Sequence, residues 1–113
     1  MNASNIGTSR VGSHMILTPK GSLTHQNCQE LEAAFQKYLK QGQTDIILDL
    51  KSVAFMDSAT LEILVQINDA LKTKGSALKV ISANNVCKDI LLVTRLANVF
   101  QIYPDLQGAI KNR

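Results

Sequence analysis

The sequence predicts an α/β fold: one domain, with a mostly parallel or mixed sheet of four to five strands and about four helices. The expected order is β-β-α-β-α-β-α-β-α. Three observations carry this. Short runs of branched apolar residues alternate with longer segments of helical period. That alternation places a helical crossover between successive strands, as a parallel sheet requires. Glycine or proline punctuates most of the junctions. The 113 residues are enough for one modest core, so 1–113 is read as a single domain with residues 1–5 flexible.

The elements follow in order. Ile6–Ser9 reads as a short strand with a turn at Val11–Gly12, and HMILTP as a second strand ended by Pro19 and Gly21. GSHM at 12–15 matches a common cloning scar, yet it lies inside the chain and runs straight into MILT, so it is read as native. In THQNCQELEAAFQKYLKQG, Cys28, Leu31, Phe35, Tyr38 and Leu39 recur at spacings of three and four, the mark of an amphipathic helix. Thr24 is its expected N-cap and Gly42 its left-handed terminator. DIILDL (45–50) is an apolar strand covered on both faces. Residues 59–74 form a second helix stopped by Gly75, and ALKVIS (77–82) another strand. NNVCKDILLVTRL (84–96) is a third helix opened by Asn, VFQIY (99–103) the last strand, and PDLQGAIKNR a short final helix with Pro104 in its first turn.

Composition narrows the function. No apolar run approaches the roughly 20 residues that span a bilayer, and MNASNIGTSR lacks the apolar region of a secretory signal. Two cysteines, Cys28 and Cys87, read as reduced core thiols. A cytoplasmic protein without membrane insertion is expected. The net charge of +3 raises nucleic acid as a ligand. The twelve Lys and Arg residues are scattered singly, however, without the basic stripe and stacking aromatics such binding uses; no direct nucleic-acid binding is expected.

The stretch VAFMDSATLEIL (53–64) holds the candidate site. It brings Asp57 and Ser58 to a strand's carboxyl end at the start of a helix, where α/β sheets gather functional groups. Either residue could simply cap that helix. On the helix, Glu62, Gln66, Asp69 and Thr73 form one narrow polar arc. Leu61, Leu64 and Leu71 suffice for the core, which leaves a flank of Ile63, Ile67 and Ala70 either to pack on a neighbouring helix or to receive a partner. A nucleophilic Ser58 would need a base, and only His14 and His25 exist; the G-x-S-x-G elbow is absent. His25-x-x-Cys28 has metal-like spacing but no second pair, and no phosphate-cradling glycine motif occurs. No enzyme activity, catalytic residue, metal or cofactor is expected. Phosphorylation of Ser58 fits better. It would add nearly two negative charges at a helix N-terminus that tolerates them, while repelling a partner docked over it.

DIILDLKSVAFMDSATLEIL, with ALKVISANN after a glycine-ended helix, resembles the STAS domain shared by sulphate transporters and bacterial anti-sigma factor antagonists. KGSLTHQNCQEL resembles that family's Gly-x-Leu turn, and ILLVTRLANVFQIYPDLQGAI its C-terminal pattern. The resemblance implies an anti-sigma factor antagonist controlling sigma-factor-dependent transcription. Its partners would be an anti-sigma factor with serine-kinase activity, bound when Ser58 is bare, and a serine phosphatase. Ser58 would be the phosphosite. Gly21, Ser22, Thr24, Asp57, Ala59 and Thr60 would share its contact surface with Ile63 and Ile67 of the apolar flank. Two departures stand out: Thr60 and Arg95 occupy positions where antagonists commonly carry glycine. The rival expectation is a constitutive STAS subunit of a larger complex, such as a stress-signalling assembly or a lipid-transport ATPase, with Ser58 only a helix cap.

Overall fold

The computed structural model describes residues 6–111; the expected flexible residues 1–5 lie outside them. Strand β1 (Ile6–Val11) pairs antiparallel with β2 (His14–Pro19) across a tight turn at Gly12. Strands β4 (Ile46–Asp49), β6 (Lys79–Ile81) and β7 (Gln101–Tyr103) then add in parallel, giving the order β1-β2-β4-β6-β7. Helices α1 (Cys28–Lys40), α2 (Ser58–Lys72), α3 (Asn85–Val93) and α4 (Leu106–Lys111) connect and close them. The α/β class, the mixed five-stranded sheet and the four helices are as expected.

Strand alternation sorts the core into two layers. Met15, Leu17, Leu48 and Val80 point to one face, where Leu31 and Phe35 of α1, Leu64, Ile67 and Leu71 of α2, and Cys87 and Leu91 of α3 cover them. Ile16, Ile47 and Ile81 point to the other, against Ala109 of α4. Within DIILDL, residues 46–50 are buried on both faces, while Asp45 is exposed. Each large side chain fully buried in this way stabilises the fold by roughly 1.5–3 kcal/mol.

The expected order lacks two strands. β3 (Gly21–Leu23) and β5 (Val53–Met56) pair in parallel as a separate two-stranded sheet. Three and four residues are too few to show a period, and β5 exposes Ala54 and Phe55 between buried ends. Helix α1 begins at Cys28, so Thr24 is not its N-cap. Residues 24–27 instead form a turn: the Thr24 carbonyl accepts from the Asn27 and Cys28 amides, and Asn27 Oδ1 accepts from the Thr24 amide at 2.8 Å. Gly42 does terminate α1, at φ +84°, with Gln43 N–H donating back to the Tyr38 carbonyl. Helix α3 stops at Val93, not Leu96, because Arg95 enters the left-handed region at φ +66° before a 3-10 turn, Leu96–Asn98.

Candidate functional site

Helix α2 starts where β5 leaves its small sheet, and three backbone bonds fix that junction. Asp57 N–H donates to the Leu23 carbonyl of β3, Leu61 N–H donates to the Asp57 carbonyl, and Gly21 N–H donates to the Ser52 carbonyl. The two short strands therefore aim the DS dipeptide as a unit with the 24–27 turn. From the other side, Asn84 caps α3 by accepting from the Cys87 amide at 2.9 Å and donates through Nδ2 to the Val53 carbonyl at 2.6 Å. One side chain thus ties α3 to the strand that delivers the site.

Asp57 is the N-cap of α2, its Oδ1 accepting from the Thr60 amide at 3.0 Å. Its Oδ2 accepts from the His25 amide at 2.8 Å, and His25 Nδ1 lies 3.5 Å from the same oxygen. The Thr60 amide, more than the His25 amide, holds the Asp57 carboxyl below its ordinary 3.8. Ser58 is the first residue of the helix proper and is exposed; among the described residues its hydroxyl has no hydrogen-bond partner. The expectation that Ser58 serves only as a cap is corrected: Asp57 already fills that role.

Two residues expected at the contact surface are not on it. Thr60 is fully buried, and its Oγ1 has no hydrogen-bond partner of good geometry, although it lies near enough to Asp57 to favour the carboxylate. Ile67 is 1% exposed, packed in the main core, and Ile63 is half-buried against the same cluster. Of the two expectations for the Ile63–Ile67 flank, packing within the fold rather than receiving a partner is the one the structure shows. Gly21 and Ser22 are exposed, and Thr24 and Ala59 half-buried.

The open apolar surface lies on the opposite side. A groove of about 440 Å³ runs between α2 and the end of α3, lined by Ser58, Leu61, Glu62, Val65, Thr94 and Leu96 among others. The same end of α3 exposes Leu92 (64%) and Val93 (79%). Phe55, 44% exposed on β5, lies opposite Ser22 on β3. Sequence reasoning missed Phe55, Leu92, Val93 and Leu96. A signal existed for the α3 pair: ILLV gives that short helix more apolar residues than one face can bury.

The site's chemistry is limited. Asp57, His25 and Ser58 come together, yet no hydrogen bond links imidazole to hydroxyl, so the base–nucleophile contact of a catalytic serine is missing. His14 is buried in β2. Among the described residues no group of three His, Cys, Asp or Glu could hold a metal; His25 is exposed while Cys28 is buried. No helix of the described residues is long and apolar enough to cross a membrane. What remains is an exposed, unengaged hydroxyl at a helix N-terminus, bordered by an apolar groove.

The fold is shared with solved structures. A candidate anti-sigma factor antagonist from Thermotoga maritima is 25% identical, with TM-score 0.88 over 94% of this chain and 92% of that one. An anti-sigma factor antagonist from Mycobacterium paratuberculosis is 21% identical, with TM-score 0.85 over 94% and 90%. The phosphorylated form of the Bacillus cell-fate determinant SpoIIAA is 15% identical, with TM-score 0.73 over 96% and 99%; at these last two identities the likeness is one of fold. The STAS domain family matches residues 5–109. With the two-layered sheet and the Asp-Ser helix start in place, the chain belongs to the STAS domain family.

Proposed function

We propose that this chain is an anti-sigma factor antagonist working as a phosphorylation switch at Ser58. The observation that carries it is the Ser58 hydroxyl: exposed, free of hydrogen bonds, and on the rim of the α2–α3 groove, with capping left to Asp57. The similarity to proteins described as anti-sigma factor antagonists supports the partner class. With Ser58 bare, an anti-sigma factor that is also a serine kinase covers the helix start. It buries the half-exposed groove side chains Val65 and Leu96. The sigma factor is then free for transcription. The kinase transfers the γ-phosphoryl group of ATP to Ser58 Oγ, breaking the bond to ADP and taking the hydroxyl proton onto its own base. The phosphoserine carries nearly two negative charges beside the Asp57 carboxylate. Docking then requires their desolvation, and the partner leaves. A serine phosphatase restores the hydroxyl by hydrolysis.

The reading assigns no catalytic residue, cofactor or metal to this chain, no direct nucleic-acid contact, and a place in the bacterial cytoplasm. The test is the intact mass and peptide map of the protein from its own cells, paired with capture of partners by wild type, Ser58→Ala and Ser58→Asp. A phosphate localised to Ser58, and a kinase-fold partner lost with Ser58→Asp but kept with Ser58→Ala, is the expected result. A partner held equally by all three, with no phosphate in any growth phase, would overturn it in favour of a constitutive subunit.

A further inference from the structure

Within the switch just proposed, and resting on it, we infer that His25 is the positioning residue for the phosphate: its imidazole becomes the counter-ion of phosphoserine 58. Asp57 already has both carboxylate oxygens engaged, Oδ1 by the Thr60 amide and Oδ2 by the His25 amide. It resists protonation for that reason. A phosphate on the adjacent residue therefore meets a fixed negative charge that cannot titrate away near neutral pH. The first turn of α2 offers no basic side chain, and Glu62, on the same groove as Ser58, adds a further negative charge. Among the described residues the one basic group facing Asp57 is the His25 imidazole, at 3.5 Å; it is 75% exposed and so free to turn toward a new anion.

The backbone makes this placement sturdy. The 24–27 turn is held by Asn27 through the Thr24 amide and the Ser22 carbonyl, independently of the imidazole. His25 N–H keeps its bond to Asp57 whatever its ring does. The turn thus acts as a fixed arm carrying one titratable group to the acidic end of the site. Phosphorylation of Ser58 then sets a dianion beside the acid that the imidazole already faces.

The experiment uses the full chain with phosphoserine installed at position 58 during translation, so it needs no kinase and stands apart from whether cells ever modify Ser58. Phosphorus NMR follows the second ionisation of the phosphate in wild type, His25→Gln and His25→Lys. A nearby cation favours the dianion, so wild type should titrate a few tenths of a pH unit below His25→Gln, with His25→Lys at or below wild type. High salt should shrink the difference. Coincident titrations for wild type and His25→Gln would overturn the assignment. Because His25 is exposed and its amide bond survives substitution, all three variants should fold; equal urea midpoints check this.

Discussion

Replacing Ser58 with alanine separates a modification site from a structural cap, and the structure supplies both the expectation and its control. A residue that caps a helix loses about 1 kcal/mol, within a range of roughly 0.5–2, when cut back to alanine. Ser58 Oγ makes no hydrogen bond and is open to water, so nothing buried is left unpaired by its removal. Alanine's better helix propensity, up to about 0.5 kcal/mol, acts in the opposite direction. The expected change in unfolding free energy is therefore between zero and about 0.5 kcal/mol of added stability. Asn84→Ala is the control. It removes a genuine cap on Cys87 N–H and strips the stronger donor from the part-buried Val53 carbonyl, leaving it only the long Cys87 Sγ contact at 3.6 Å. About 1 kcal/mol for the cap and about 1 for the second bond give roughly 2 kcal/mol lost. For a domain of this size that is on the order of 10 °C in Tm. Urea unfolding followed by circular dichroism reads both variants, with an unchanged m-value required for either number to count. A loss of 1 kcal/mol or more in Ser58→Ala would refute the reasoning, since Ser58 would then be holding the helix.

Other expectations follow from the same geometry. Asp57, with its carboxyl held below 3.8 in the fold, contributes stability that is fully present above the unfolded value and lost as pH falls through the lower folded value. Asp57→Asn should remove that share of the acid dependence, visible as a flatter stability profile below about pH 4 in acid titration. Thr60→Val exchanges a buried hydroxyl lacking a partner for a methyl of the same shape. Loss of the hydroxyl's influence on the Asp57 carboxylate offsets the gain from removing an unpaired buried group, so its unfolding free energy should stay within about 1 kcal/mol of wild type and partner binding should not change. Arg95→Gly relieves a left-handed residue at φ +66°. The gain, about 1–2 kcal/mol for the backbone less about 0.5–1 for glycine's entropy, should leave it more stable by up to about 1.5 kcal/mol in the same urea assay.

Helical period, apolar strand runs and glycine stops determined the class, the four helices and the five main strands, because each signal is local: Leu31, Phe35 and Leu39 face one way in any α-helix, and Gly42 and Gly75 accept φ values other residues resist. The importance of Asp57 and Ser58 was equally legible, as a polar pair between two apolar segments. Tertiary structure alone decided which of the two caps α2, since the N-cap depends on a one-residue phase in backbone conformation. It also decided which flank of α2 is open. Ile67 and Val65 are both branched apolar residues of one helix, but Ile67 is buried in the main core while half-buried Val65 lines the groove with Thr94 and Leu96. Strands β3 and β5, and His25 beside Asp57, come from residues about thirty apart in the chain. A pairing of strands three and four residues long leaves no period in either segment, so only the folded chain could bring the imidazole to the acid beside Ser58.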